Sequence, residues 1–153
     1  MKLREIDYRN PENDPMVEPA AALVLEEIYR DNSDTNHLMS RAEQLSRILP
    51  IKSKNYCLED DSELLGVGSL DYNRALDDTL ILNRIVVNKD RRHRGLGSLL
   101  VVRLDGVARD LGKKRITLTA EDDILPFYAN LGYIPLSDDR LHYNILTKSL
   151  IAA

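Results

Sequence analysis

The sequence predicts a mixed α/β fold, in which one sheet holds antiparallel and parallel strands and carries helices on both faces. Three features predict it. The nearly all-aliphatic run Thr79–Val87 is followed by a helical pattern and then by a β-branched run, Arg115–Ala120. Two apolar runs around residues 56–70 are joined by an acidic turn, and two helical stretches lie near the N-terminus. With 153 residues and 17.4 kDa, the chain fits one domain over residues 1–153, long enough to bury roughly two-thirds of its unfolded surface.

Each element has its own local reason. Lys2–Tyr8 sets Leu3 and Ile6 among charges and breaks in the turn cluster Asn10-Pro11-Glu12-Asn13-Asp14-Pro15, as a first strand does. Pro19–Tyr29 is rich in Ala, Leu and Glu with apolar residues at helical spacing. Asp34 or Thr35 is expected to cap a second helix running through Leu38, Leu45 and Ile48 to the stop at Pro50. Tyr56–Leu58 and Leu64–Leu70, separated by Glu59-Asp60-Asp61-Ser62, read as an antiparallel hairpin. Thr79–Val87 is aliphatic on both faces apart from Asn83 and Arg84, which suits a central strand covered on both sides. Leu96, Leu99, Leu100, Leu104, Val107, Ala108 and Leu111 then share one helical face that stops at Gly112. The next strand, Arg115–Ala120, is expected to run parallel to Thr79–Val87 through a right-handed crossover. A short helix from about Asp123 to Leu131 ends at Gly132, and Leu141–Ser149 supplies the last strand. The order is β-α-α-β-β-β-α-β-α-β.

Composition excludes several function classes. Hydrophobic residues at 43% and charged residues at 30% oppose disorder. The single cysteine, Cys57, has no disulfide partner, and His37, His93 and His142 are too far apart for a ligand set, so no metal is expected. The first residues lack an apolar leader and no apolar run is long enough for a bilayer, so the expected location is the cytoplasm, away from membranes. A net charge of −4 disfavours nucleic acid and suits a cationic partner.

The chemistry concentrates after Val87. A strand end, the basic loop Lys89–Gly97 and a helix start bring unpaired backbone N–H groups and a positive dipole end to one spot. An anion, phosphate above all, is the expected ligand, with Arg91, Arg92 and Arg94 adding charge. The loop lacks the Gly-Lys-Ser/Thr of a P-loop, and Leu100 stands where a dinucleotide fingerprint has its third glycine.

Arg92-His93-Arg94-Gly95-Leu96-Gly97 resembles motif A, R/Q-x-x-G-x-G/A, of the GNAT superfamily of N-acetyltransferases. As in that family, a Val-rich segment precedes it, Ile85-Val86-Val87, with Arg84 three residues before Val87. Phe127-Tyr128-Ala129-Asn130-Leu131-Gly132-Tyr133 resembles the family's F-Y-x-x-L-G-F/Y segment, about 30 residues beyond the loop. Lys89 in place of a common Pro, His93 in place of the usual first glycine, and Glu121 in place of a common Asn depart from the pattern.

The resemblance implies a mostly antiparallel sheet with a splayed parallel pair, and acetyl-CoA as co-substrate without a metal. Its pyrophosphate would rest on the N–H groups of Arg92, His93, Arg94, Gly95, Leu96, Gly97 and Ser98, and its pantetheine arm would pair with the backbone of Ile85, Val86 and Val87. It further implies Tyr128 as the general acid that protonates the departing thiolate. A general base is less evident, because Asn83 stands where many relatives carry a carboxylate. Glu121 and His142 are the candidates. Phe127 reads as core, and Cys57 as a small core residue rather than a nucleophile. The acidic clusters at Glu59-Asp60-Asp61, Asp77-Asp78 and Glu121-Asp122-Asp123 rank amines above acidic acceptors. The leading reading is direct acetyl transfer to a primary amine of a small metabolite, peptide or protein. The alternative is a non-catalytic acetyl-CoA sensor. A homodimer is the assembly considered beside the amine acceptor.

Overall fold

A computed structural model describes residues 1–28, 39–50, 52–136 and 144–151. Among these, seven strands form one sheet: β1 (Lys2–Ile6), β2 (Ser53–Asp60), β3 (Glu63–Tyr72), β4 (Thr79–Val87), β5 (Arg115–Ala120), β6 (Ile134–Pro135) and β7 (Asn144–Ser149). Their spatial order is β1-β2-β3-β4-β5-β7-β6, antiparallel throughout except for the parallel pair β4–β5. The helices are α1 (Val17–Ile28), α2 (Arg41–Ile48), α3 (Leu96–Asp110) and α4 (Leu125–Ala129). No helix among the described residues is long and apolar enough to cross a membrane.

Several expected boundaries move for local reasons. The first helix starts at Val17, two residues before the expected Pro19, since a proline fits the first turn where its missing N–H is not needed. Ser40 caps the second helix, and its hydroxyl accepts from the Glu43 amide at 3.1 Å. Ser40 and Glu43 stand at capping-box spacing, a signal the reading of Asp34 or Thr35 passed over. Asp34, Thr35, Leu38 and Tyr29 lie outside the described residues. The Glu18 carboxylate of α1 accepts from the amides of Arg41 and Ala42 at 3.1 and 3.3 Å, which ties the two helices together at the start of α2. The hairpin strands extend until only Asp61 and Ser62 turn, with φ of 47° and 66°, the two-residue geometry that matches strand twist. Thr79–Val87 and Arg115–Ala120 keep their expected bounds. The last strand begins at Asn144, with residues 141–143 undescribed. The chain also adds β6, which the sequence does not advertise, because two residues including a proline show no alternation and suit only an edge.

The sheet divides the core. Leu58, Leu70, Leu80 and Ile116 face α3, where they meet Leu100 and Leu104. Val67, Val86 and Cys57 face α1 and α2, against Val17, Val24 and Leu45. Gly68 lets α3 sit close to the sheet, since a Cβ there would lie 2.6 Å from Leu104 Cδ1 and 2.7 Å from Ile85 Cδ1.

Two interruptions in β4 position the site. Pairing with β5 covers only Thr79, Leu80 and Ile81, so the rest of β4 presents its β5-side edge unpaired. On the β3 side the register shifts between Val67, opposite Val86, and Ser69, opposite Asn83, which leaves one extra residue on β4. Arg84 sits in that bulge with a left-handed φ of 52°.

Candidate active site

The unpaired stretch of β4 leads directly to the start of α3. Gly95 is the N-cap residue of α3 with a φ of 75° and offers no side-chain cap. The amides of Leu96, Gly97 and Ser98, at the first positions of the helix, therefore have no carbonyl partner within it, and the positive end of the helix dipole adds to them. His93 also takes a left-handed φ, 63°, at the position where the family pattern has glycine. A residue with a Cβ is strained there, although His tolerates this region better than branched residues do.

A cleft of about 540 Å³ runs from this cradle to α4. It brings together Ile85, Val86, Val87, Arg92, His93, Gly95, Leu96, Gly97, Ser98 and Tyr128 from the expected set. Arg94 is exposed and lies outside the lining. Arg91, expected to add charge to the loop, also lines the cleft, and the cleft adds Glu27, Ile124 and Phe127. Phe127, expected in the core, is only half-buried; its ring lies 3.5 Å from where a Gly97 Cβ would stand, so this glycine keeps the cleft open beside the ring. Arg92 donates from Nε to the Val87 carbonyl at 3.3 Å and lies 4.0 Å from Glu27. Arg91 pairs with Glu63, and Lys89 with Glu26.

Tyr128 is 8% exposed and packs edge-on against Phe127 and Tyr133 with ring centres 4.9 and 5.7 Å away, and its hydroxyl has no hydrogen-bond partner among the described residues. Burial pushes its phenol above the ordinary value, which keeps the proton on. Behind it, Tyr133 donates to Asp105 Oδ1 at 2.6 Å, and Lys148 donates to Asp105 Oδ2 at 2.7 Å. This buried pair ties α3 to β7 and fixes the ring on which Tyr128 rests.

On the opposite face of the sheet, the β4 bulge carries a polar network that the sequence reading missed. The Arg84 guanidinium pairs with Asp71 and donates to Ser53 Oγ at 3.1 Å and Ser69 Oγ at 3.3 Å. Ser53 and Asn83 also donate to Asp71, at 2.6 and 3.2 Å, and Ser69 donates to Asn55 Oδ1 at 2.6 Å. Ser53, Asn55, Ser69 and Asp71 sit at every second position of two strands, the spacing that places them on one face. Read singly, they look like ordinary strand polarity.

Of the base candidates, Glu121 is exposed at the end of β5 and is not among the residues lining the cleft. His142 lies outside the described residues. Cys57 is fully buried, and burial pushes its thiol up to about 11, so it is not a thiolate near neutrality.

The family model of the acetyltransferase (GNAT) domain matches residues 24–147, most of the chain. The chain belongs to the GNAT acetyltransferase family. Its GNAT fold is shared across the full length with solved structures of aminoglycoside 6'-acetyltransferase type Ii, at TM-score 0.73 and 21% identity, and of an aminoglycoside 6'-N-acetyltransferase complexed with coenzyme A, at 0.74 and 18%. These cover 100% of this chain and 99% of the other in both cases. Among curated relatives, a probable glucosamine 6-phosphate N-acetyltransferase of Drosophila melanogaster is 32% identical over 79 residues, which are 49% of this chain and 36% of that protein. N-alpha-acetyltransferase 80 of Mus musculus is 39% identical over 69 residues, 44% and 22% of the two lengths. The match thus spans well under half of either curated relative.

Proposed function

We propose that this GNAT protein transfers the acetyl group of acetyl-CoA directly to a primary amine. One observation carries the reading: the unpaired edge of β4, the bare N-terminus of α3 and the Tyr128 ring line a single cleft. The residues suit acetyl-CoA at each point. The amides at the start of α3 receive phosphate oxygens, with Arg92 beside them. Ile85, Val86 and Val87 offer backbone groups to the amide-bearing arm, as a sheet edge receives a strand. A thioester carbonyl held against the β4 edge accepts from a backbone N–H near Val87, which stabilises the oxyanion as the amine attacks.

The C–N bond forms as the C–S bond breaks, and the thiolate leaves with a proton from Tyr128, whose burial favours the protonated acid. The amine's proton goes to a base for which Glu121 and His142 are the candidates in this chain. Cys57 takes no part, so no acetyl-enzyme forms.

Release of free CoA thiol in the presence of an amine panel tests the activity, and binding without release would favour a sensor. Tyr128→Phe tests the acid. The variant should bind acetyl-CoA as the parent does and lose about 10²-fold or more in single-turnover rate. Because burial raises the phenol, the parent's alkaline loss of the acid should fall above the range in which an ordinary tyrosine titrates. A full single-turnover rate in the Phe variant removes Tyr128 from the mechanism.

A further inference from the structure

Asp105, a carboxylate in α3 at 2% exposure, does not line the acetyl-CoA cleft. Three elements converge on it all the same. Tyr133, in the turn between α4 and β6, donates to Oδ1 at 2.6 Å, and Lys148 of β7 donates to Oδ2 at 2.7 Å. Gly132 makes room for them: its φ is 92°, and a Cβ there would stand 3.3 Å from Lys148 Cε, on the stem that carries the ammonium to Asp105. Burial, with the Asp105 charge beside it, pushes the Tyr133 phenol up, so Tyr133 stays the donor. A buried ion pair adds little stability over an apolar set of the same shape, but each of its members is satisfied in only one arrangement.

Tyr128 lacks any such anchor of its own. α4 is a single turn of five residues, too short to hold a side chain by helical stability alone. The Tyr128 hydroxyl has no hydrogen-bond partner among the described residues, and Phe127, one of the two rings against it, is itself half-buried in the cleft wall. The other ring is Tyr133, which is 2% exposed and whose backbone amide donates to the Tyr128 carbonyl at 3.1 Å. Tyr133 thus holds residue 128 by ring and by backbone, and Asp105 holds Tyr133. Along α3, Asp105 lies about 13–14 Å from Leu96 on one rigid rod. The amides that receive phosphate and the anchor of the proton donor are set by the same helix.

We infer that Tyr133 and Asp105 are positioning residues for the reaction: they fix the Tyr128 hydroxyl relative to α3, and so relative to the sulfur of an acetyl-CoA whose pyrophosphate rests on the start of that helix. This rests on the reading of Tyr128 as the general acid and adds the residues that place it. Proton transfer requires the phenol within hydrogen-bond reach of the departing thiolate, and a misplacement of about 1 Å can slow a step by about 10²-fold.

Tyr133→Phe keeps the ring and removes the bond to Asp105. Single-turnover release of CoA thiol, with ethanolamine, cadaverine and an alanyl tripeptide as trial amines, should be about threefold to tenfold slower in this variant, with acetyl-CoA affinity by calorimetry equal to the parent's. The deciding comparison repeats Tyr133→Phe in the Tyr128→Phe protein, where no hydroxyl is left to place and the change should be silent within about twofold. A loss of the same size in both backgrounds, weaker acetyl-CoA binding in place of a slower step, or the parent's rate in Tyr133→Phe makes the network structural and overturns the inference. Those outcomes leave the general acid standing if Tyr128→Phe alone is slow. Full rate in Tyr128→Phe removes the acid and its positioning together, and no release with any amine sinks the acetyl-transfer reading beneath both.

Discussion

Removing the Asp71 carboxylate should be among the most destabilising single changes in the sheet. Its side chain is 7% exposed and that of its partner Arg84 is 12% exposed. Asp71→Ala leaves the guanidinium with only the hydroxyls of Ser53 and Ser69, and takes the acceptor from the Ser53 hydroxyl and from the Asn83 amide, which is exposed and can turn to water. The two lost neutral-donor bonds account for about 1–2 kcal/mol, one of their donors being exposed, and a nearly buried charge without its counter-ion brings the total to about 3–5 kcal/mol. Against the usual 5–15 kcal/mol for a domain, that is a large fraction. Urea denaturation measures it, provided the slope stays the same as the parent's. Arg84→Ala in the same protein removes the stranded charge, so the double variant should be more stable than the sum of the two single losses by about 1–3 kcal/mol. A loss below about 1 kcal/mol in Asp71→Ala, or strict additivity in the cycle, would refute the account of this network as a coupled ion pair.

Gly68→Ala places a methyl 2.6–2.7 Å from Leu104 and Ile85 and should lower stability by about 1–3 kcal/mol in thermal unfolding, with weaker acetyl-CoA binding because Ile85 lines the cleft. Cys57→Ala should retain full CoA-thiol release at about 1 kcal/mol of stability, whereas loss of turnover with normal acetyl-CoA binding would demand a covalent intermediate. His93→Gly relieves a left-handed residue by about 1–2 kcal/mol and gives back about 0.4–1 kcal/mol in unfolded-chain entropy, so its Tm should hold or rise, and a clear fall would mean that the imidazole makes a compensating contact.

Local chemistry was legible in the sequence alone. The aliphatic run Thr79–Val87, the β-branched run Arg115–Ala120, the helical stripe from Leu96, and Gly95, Gly112 and Gly132, all with positive φ in the structure, follow from backbone sterics and side-chain spacing within a few residues. The phosphate cradle is legible for the same reason, since a glycine loop before a helix is a contiguous object. Ser40 with Glu43 is an equally local signal.

What only the tertiary structure decided are the meetings across strands. The Arg84 bulge, its Asp71 partner on β3 and Ser53 on β2 depend on a register that shifts by one residue between β3 and β4. Phe127 lines the cleft because α4 swings it beside Gly97. Side-chain period tells which face a residue takes, but pairing energy between strands far apart in sequence decides which neighbour it finds there, and a single-residue slip would send each of these groups to different partners.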